Sequence, residues 1–363
     1  MRIKTVAIVI ASVLLLSGFS ACQQGMESGG TSGRNINVSY SRADLEGFVD
    51  KYMDAMLEKN IDPALFVKNV RFTENGVRLP LGEGLWSTMV GKGDYKFYVP
   101  DVEIGQVGFM GTAREESNTS KEGDLVAIAL RLKIENGLIA EAEQLITRPE
   151  GGANPGGGSA RGAGSSIESL GEPHQIFKTV IPEESRLSRE AYIEIANKYY
   201  SGVQKNDGKG DYPFADDCHR LENGRAATNV PLREGQTRPD PKTATVYSSN
   251  WGCREQFESG LIFFVSRVRD RRFFAVDREF GNTMVFTYFD HGGGKTRYGT
   301  APDGRELVGG PITPHTWQIA QIFRVENKLI RRIESTLHRS PYGMNSGWST
   351  YEDGLSDKYQ IVK

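Results

Sequence analysis

Two distant stretches of this chain read as one segment written twice. "LIAEAEQLITRPE" occupies 138–150 and "LIRRIESTLHRSPYGMNSGW" occupies 329–348. Each follows a strand-like run and a short turn, "ENG" at 135–137 and "ENK" at 326–328. Aligned on that turn, Ala129 pairs with Ala320, Glu135 with Glu326, Asn136 with Asn327, Leu138 with Leu329 and Ile139 with Ile330. Glu143 then pairs with Glu334, and Arg148 with Arg339. A repeat of roughly 110–170 residues is far longer than a solenoid unit, so it means two copies of one domain. Earlier elements repeat too. "SRADLEGFVDKYMDAMLEKN" sets Leu45, Phe48, Val49, Tyr52, Met53 and Met56 on one helical face. "SREAYIEIANKYYSGVQKN" does the same with Tyr192, Ile195, Ala196, Tyr199 and Val203. Ser41, with Asp44 three residues on, and Ser188 are the expected N-caps. A further "ENG" follows each helix, at 74–76 and 222–224, and strand-like runs come after it. Each copy closes on a hairpin turning at "EN".

Composition bounds the partners. The formal charge is −2 at neutral pH, so no basic excess exists to neutralise nucleic-acid phosphates. The N-terminus "MRIKTVAIVIASVLLLSGFSACQQG" carries Arg2 and Lys4, then an apolar run from Val6 to Leu16, too short for a comfortable membrane span. "GFSAC" resembles a lipoprotein signal, which implies lipidation of Cys22, although Phe19 stands where Leu is usual. The plainer alternative is simple secretion. Gln23 is not the inner-membrane-retaining aspartate, so the resemblance implies an outer-membrane lipoprotein of the cell envelope. Cys218 and Cys253 remain, and in an oxidising compartment an even pair reads as a disulfide. It would close a loop of about 35 residues, worth roughly 3–4 kcal/mol. A metal pair or a catalytic thiol are the rivals, and no CxxC spacing supports them.

The expected organisation is a signal peptide (1–21), a flexible tether (22–39), a first, degenerate copy (40–149) and a Gly-rich linker (150–173). A second copy with insertions and a C-terminal flap (174–350) and a tail (351–363) complete it. The fold class is α+β: two tandem cone-shaped domains, each a curled antiparallel sheet covered by N-terminal helices. The opening helix, the "ENG" turn and the closing "G-x-I" or "K-L-I" hairpin resemble the nuclear transport factor 2-like (SnoaL-like) superfamily. In the second copy "DCHRLENG", "WGCREQFESG", "RRFFAVDREFGNTMVFTYFDH" and "SPYGMNSGW" resemble an uncharacterised group of secreted fungal and bacterial proteins within it. The resemblance implies a pocket inside each cone, and enzymes that eliminate water or shift a double bond beside a carbonyl without a cofactor.

Strand alternation assigns candidates to that pocket. Along the last strand Arg332, Glu334, Thr336 and His338 share one face. His338 replaces Thr147 of the first copy, whereas Glu334 is kept as Glu143. Asp277 sits among apolar residues in "FFAVDREFG", where a buried charge needs a partner. An Asp277–His338 pair in a dry cone would serve as general acid and base. The alternative is a hairpin-end aspartate and a rim histidine that ties down the C-terminal segment. Tyr200, Arg220 and Tyr342 would orient a carbonyl or hydroxyl, and Trp251, Glu334 and Trp348 would complete a substrate site. "SPYGMNSGW" reads either as a flap over the pocket mouth or as a plug in an apolar groove. "DDCHRLENG" holds His219 beside acids, but no HxH or HExxH spacing accompanies it, so no metal is expected. "DHGGGKTRYG" lacks P-loop spacing, and GxSxG is absent.

Two functions stay open. The first is an envelope-anchored, cofactor-independent lyase or isomerase acting on a small, apolar, oxygenated compound, carried by the second copy. The second is a non-catalytic lipoprotein that binds such a ligand or a protein. The expected partners are a small-molecule ligand and a membrane reached through the lipid, with no nucleic acid.

Overall fold

The computed structural model describes residues 39–149 and 162–362, which form a single compact unit. The signal peptide, Cys22, the tether and residues 150–161 of the expected linker lie outside the described residues.

The first copy begins with α1 (Arg42–Glu58), whose apolar stripe buries Leu45, Val49, Tyr52, Met53 and Met56. Ser41 Oγ accepts from Asp44 N (3.2 Å) and Asp44 Oδ2 accepts from Ser41 N (2.8 Å), a reciprocal cap that fixes where the helix starts. Then follow β1 (Phe66–Glu74), β2 (Val77–Arg78), the single-turn α2 (Leu85–Thr88), β3 (Met89–Asp101), β4 (Gln106–Glu115), β5 (Asp124–Glu135) and β6 (Leu138–Thr147). They form a six-stranded sheet in the order β2-β1-β6-β5-β4-β3.

A short helix, α3 (Ala163–Glu168), comes next, inside the segment expected to be linker. It is folded onto the first sheet: Glu168 accepts from Asp94 N (2.9 Å) and Tyr95 N (3.2 Å). The second copy runs α4 (Arg189–Lys205), β7 (Phe214–Glu222), β8 (Arg225–Ala226), α5 (Cys253–Glu258), β9 (Arg267–Asp277), β10 (Asn282–His291), the small hairpin β11 (Tyr298–Thr300) and β12 (Glu306–Val308), β13 (His315–Glu326) and β14 (Leu329–Ser340). The expected tail is folded as well, into α6 (Tyr351–Leu355) and an edge strand, β15 (Tyr359–Ile361). The second sheet has seven strands, β15-β9-β10-β13-β14-β7-β8. The class is therefore α+β with two large curled sheets, as the sequence predicts. Neither sheet is purely antiparallel, however: β1 lies parallel to β6, β7 to β14 and β15 to β9.

Register shows the repeat directly. The closing hairpins turn on Asn136-Gly137 and Asn327-Lys328, all four residues at positive φ. That conformation matches the right-handed twist of the strands, and Asn and Gly adopt it at low cost. Both hairpins slip register at equivalent places, Lys133/Ile134 and Arg324/Val325. Both parallel ladders slip between matched residues too, after Phe66 and after Phe214.

Each sheet has one face on its own helix. Tyr52 of α1 packs with Phe72, Trp86, Phe109 and Ile146 in the first copy; Tyr199 and Tyr200 of α4 pack with Phe273, Phe323 and Ile333 in the second. The opposite faces pack on each other. Tyr95, Phe97, Met110, Ala129 and Leu145 of the first sheet share one cluster with Phe274, Met284, Phe286, Ala320 and Ile322 of the second. Contact is closest at Gly108, where an added Cβ would meet Met284 Sδ at 2.5 Å. The layers run helix, sheet, sheet, helix.

Candidate functional site

The polar face of β14 points at the other sheet and not into a cone. Glu334 accepts from Tyr95 Oη of the first copy (2.8 Å) and from Arg332 Nε (3.0 Å). Thr336 Oγ1 lies 3.1 Å from Thr147 Oγ1. His338, half-buried on the same face, lies near Arg148 and Glu74 of the first copy; burial, then the Arg148 charge, lowers its pKa. Asp277, 3 % exposed at the end of β9, accepts from Arg42 Nη2 of α1 (2.6 Å). Burial raises its pKa, and Arg42 works against the rise.

The expected Asp277–His338 pair is therefore not assembled. Asp277 is level with Asn282, Arg324 and Arg332 across the sheet, whereas His338 lies opposite Gln318, further along β14. Six residues of strand separate the two levels, roughly 20 Å, and three strand spacings add roughly 14 Å sideways. Asp277 is instead bonded to Arg42 of the first copy, and His338 faces the charges of Arg148 and Glu74 there.

A dense polar layer joins the two sheets around them. Arg272 donates to both oxygens of Glu143 (2.6 and 2.7 Å), with both residues buried. Arg189, at the start of α4, donates to Asp101 Oδ2 (2.7 Å), which also accepts from Val276 N (3.0 Å). Arg131 pairs with Glu141. Beside this layer a cavity of about 10 Å³, lined by Glu143, Arg272, Tyr288 and Gln318, has room for about one water.

The C-terminal flap reinforces the same junction. Trp348 lies between Arg71 and Arg131, whose guanidinium carbons are 4.0 and 4.8 Å from its ring, and its Nε1 donates to Thr73 Oγ1 (2.8 Å). Arg269 donates to Met344 O (2.8 Å) and Gly354 O (3.1 Å). The segment straps the second sheet to the first, with Trp348 held among Arg71, Thr73 and Arg131 of the first copy. Tyr342, near the start of the segment, is half-exposed.

The second cone is filled. Tyr199 and Tyr200 of α4 make ring contacts with Phe214, Phe257, Phe273, Phe289 and Phe323 at 5.1–6.4 Å. Tyr200 Oη is buried without a partner, and burial raises its pKa well above the ordinary value. Arg220 also points inward, with Nη2 donating to Tyr247 Oη (2.6 Å) and Gln256 Oε1 (2.9 Å) and Nη1 to Tyr199 Oη (3.3 Å) and Glu222. Four acceptors occupy this guanidinium, which leaves it little capacity for a ligand. Trp251 is core: it packs with Leu261, Ala301 and Leu307, and its Nε1 donates to Pro239 O (2.7 Å). Cys218 and Cys253 form the expected disulfide, which ties β7 to α5.

The first copy holds a network that sequence reasoning passed over. Trp86 Nε1 donates to Tyr52 Oη (2.9 Å), Tyr52 Oη to Gln144 Oε1 (3.0 Å) and Gln144 Nε2 to Glu74 Oε2 (2.8 Å). Glu74 also accepts from Leu85 N and Arg148, both at 2.8 Å. With both oxygens engaged, Glu74 braces this network. Outside both cones, an open cleft of about 760 Å³ is lined by Lys209, Arg238, Asp240, Lys242, Glu258 and Arg305 among others. Arg238 pairs there with Glu255 and Arg305 with Asp303. Among the described residues no three His, Cys, Asp or Glu side chains converge to hold a metal ion.

Comparison with known proteins adds a family to the second copy alone. Residues 185–337 match the model of a domain of unknown function, DUF8021. No curated protein matches the chain. Among solved structures, it is similar to a protein of unknown function with cystatin-like fold from Methylobium petroleophilum PM1: 19 % identity, 32 % of this chain, 85 % of that one, TM-score 0.24. It is also similar to a de novo designed protein with a curved β-sheet: 15 % identity, 42 % of this chain, 88 % of that one, TM-score 0.23.

Proposed function

We propose that this chain is a non-catalytic binding lipoprotein of the cell envelope, held by a lipid on Cys22 and built from two nuclear transport factor 2-like copies. The observation that carries the reading is the placement of Asp277 and His338. Both belong to the junction between the copies, and the cone that would have held their substrate is filled by Tyr199, Tyr200 and their aromatic neighbours. A lyase or isomerase needs an acid and a base within reach of one proton, and this pair is not. The disulfide fits an oxidising compartment.

Two measurements test it. The full chain is expressed in a Gram-negative host and fractionated: it should pellet with membranes, and Cys22→Ser should release it. A variant that still pellets contradicts the anchor. The purified protein is then incubated with a panel of β-hydroxy ketones and enones under mass detection. No product is expected. Product that disappears in His338→Gln would restore the lyase or isomerase reading.

A further inference from the structure

The two copies differ most sharply at one matched position. In the first, Arg148 is closed off by carboxylates: Nε and Nη2 donate to Glu115 (2.6 and 2.9 Å), and Nη2 also donates to Glu74 (2.8 Å). Register gives the counterparts. Arg148 corresponds to Arg339, Glu115 at the end of β4 to His291 at the end of β10, and Glu74 at the end of β1 to Glu222 at the end of β7. Both acids are lost to Arg339. One has become a histidine, and the other is taken by Arg220, which stands where the first copy has Phe72. Arg339 makes no ion pair among the described residues.

What surrounds Arg339 has changed with it. Its cross-strand partner is Trp317, on the cone-side face of β13, where the first copy has Val126. Beside Trp317 runs an aromatic row: His315 edge-on at 5.4 Å, His291 stacked on His315 at 4.6 Å, and Phe264 stacked on His291 at 6.1 Å. Trp317, Phe264 and Arg339 are each half-buried, so the row reaches the surface at its two ends, at the rim of the cone. His291 is 5 % exposed, and its Nδ1 has no hydrogen-bond partner. Burial, then the neighbouring His315, pushes its pKa down to about 4, so it stays neutral beside Arg339 and adds no second charge.

We infer that the rim of the second cone, built on Arg339, Trp317, Phe264 and His291, binds a flat ring that carries a carboxylate. A guanidinium without a carboxylate partner offers a two-point match to a carboxylate, and indole and phenyl faces take a ring by stacking. The inference rests on the binding reading above and names its site and ligand class. The first copy, with Glu115 and Glu74 already on Arg148, has no such vacancy.

The test is a titration of the full chain with benzoate, followed by tryptophan fluorescence and calorimetry. Saturable binding is expected, with acetate at least tenfold weaker. Arg339→Gln should weaken benzoate at least tenfold. His291→Glu rebuilds the acid of the first copy and should do the same with the melting temperature kept, so the test stands even if Arg339→Gln folds poorly. No benzoate binding, equal affinity for acetate, or unchanged affinity in both variants overturns the inference. The non-catalytic reading fails separately, on product formation.

Discussion

Arg272 and Glu143 carry the junction at its most buried point. Two charges removed from water stabilise the fold only with good geometry, and here both carboxylate oxygens are engaged at 2.6 and 2.7 Å. Glu143→Gln leaves Arg272 with Asp270 (3.3 Å) as its remaining carboxylate partner and should cost up to about 3–5 kcal/mol in urea unfolding. The double change Arg272→Met, Glu143→Leu should recover part of that, because it removes both charges of the pair and leaves the buried Asp270 to the hydrogen bonds it accepts from Ser349 and Gln360. His291 sets a second prediction. Its pKa is 6.5 when unfolded and about 4 when folded, so the unfolded chain binds the proton more readily in that window. The stability it contributes is whole above about pH 6.5 and is lost as pH falls toward 4, up to about 3 kcal/mol. His291→Phe should flatten that part of the pH profile in denaturant midpoints. A profile unchanged by the substitution would place the acid sensitivity elsewhere.

At the scale of elements, much could be read directly. The helical spacing of Leu45, Val49, Tyr52 and Met56 places α1, and Ser41 with Asp44 places its start. The "EN" turns fix both closing hairpins, because positive φ at two adjacent residues needs Asn, Gly or a tolerant neighbour. Cys218 and Cys253, an even pair in an oxidising compartment, point to the disulfide, and its reduction should cost roughly 3 kcal/mol and loosen α5 from β7, read by the shift in melting temperature. What could not be read was the C-terminal segment. "SPYGMNSGW" has no periodicity, and the positions of Arg71 and Arg131 around Trp348 exist only after both sheets have formed. Trp348→Ala should cost about 1–3 kcal/mol and raise amide exchange in β15, whose edge pairing depends on the strap. Exchange in β15 that stays slow would mean the strap is held by its other contacts, to Arg269, Thr316 and Asp270.

For the whole molecule, alternation along β14 gave its two faces but could not say which one looks inward. A row of Arg332, Glu334, Thr336 and His338 resembles a pocket lining, because pockets and buried interfaces both collect polar groups that need partners. One signal did separate the two. The buried strand "RVRDRRFFAVD" of the second copy brings four arginines, and β6 of the first brings Glu141 and Glu143 on one face. Opposite charges on matched sheet faces suit copies that meet, and Arg272 meets Glu143 there. This junction makes the two copies one cooperative body and takes up the residues that resemble a catalytic site. Native-state hydrogen exchange tests it most directly, comparing β5 in the first copy with β13 in the second, in wild type and Glu143→Gln. The slowest amides of both strands should share one opening free energy and lose equal amounts in the variant, though the substitution touches only the first copy. Two distinct opening energies, with β13 unmoved by Glu143→Gln, would contradict the claim.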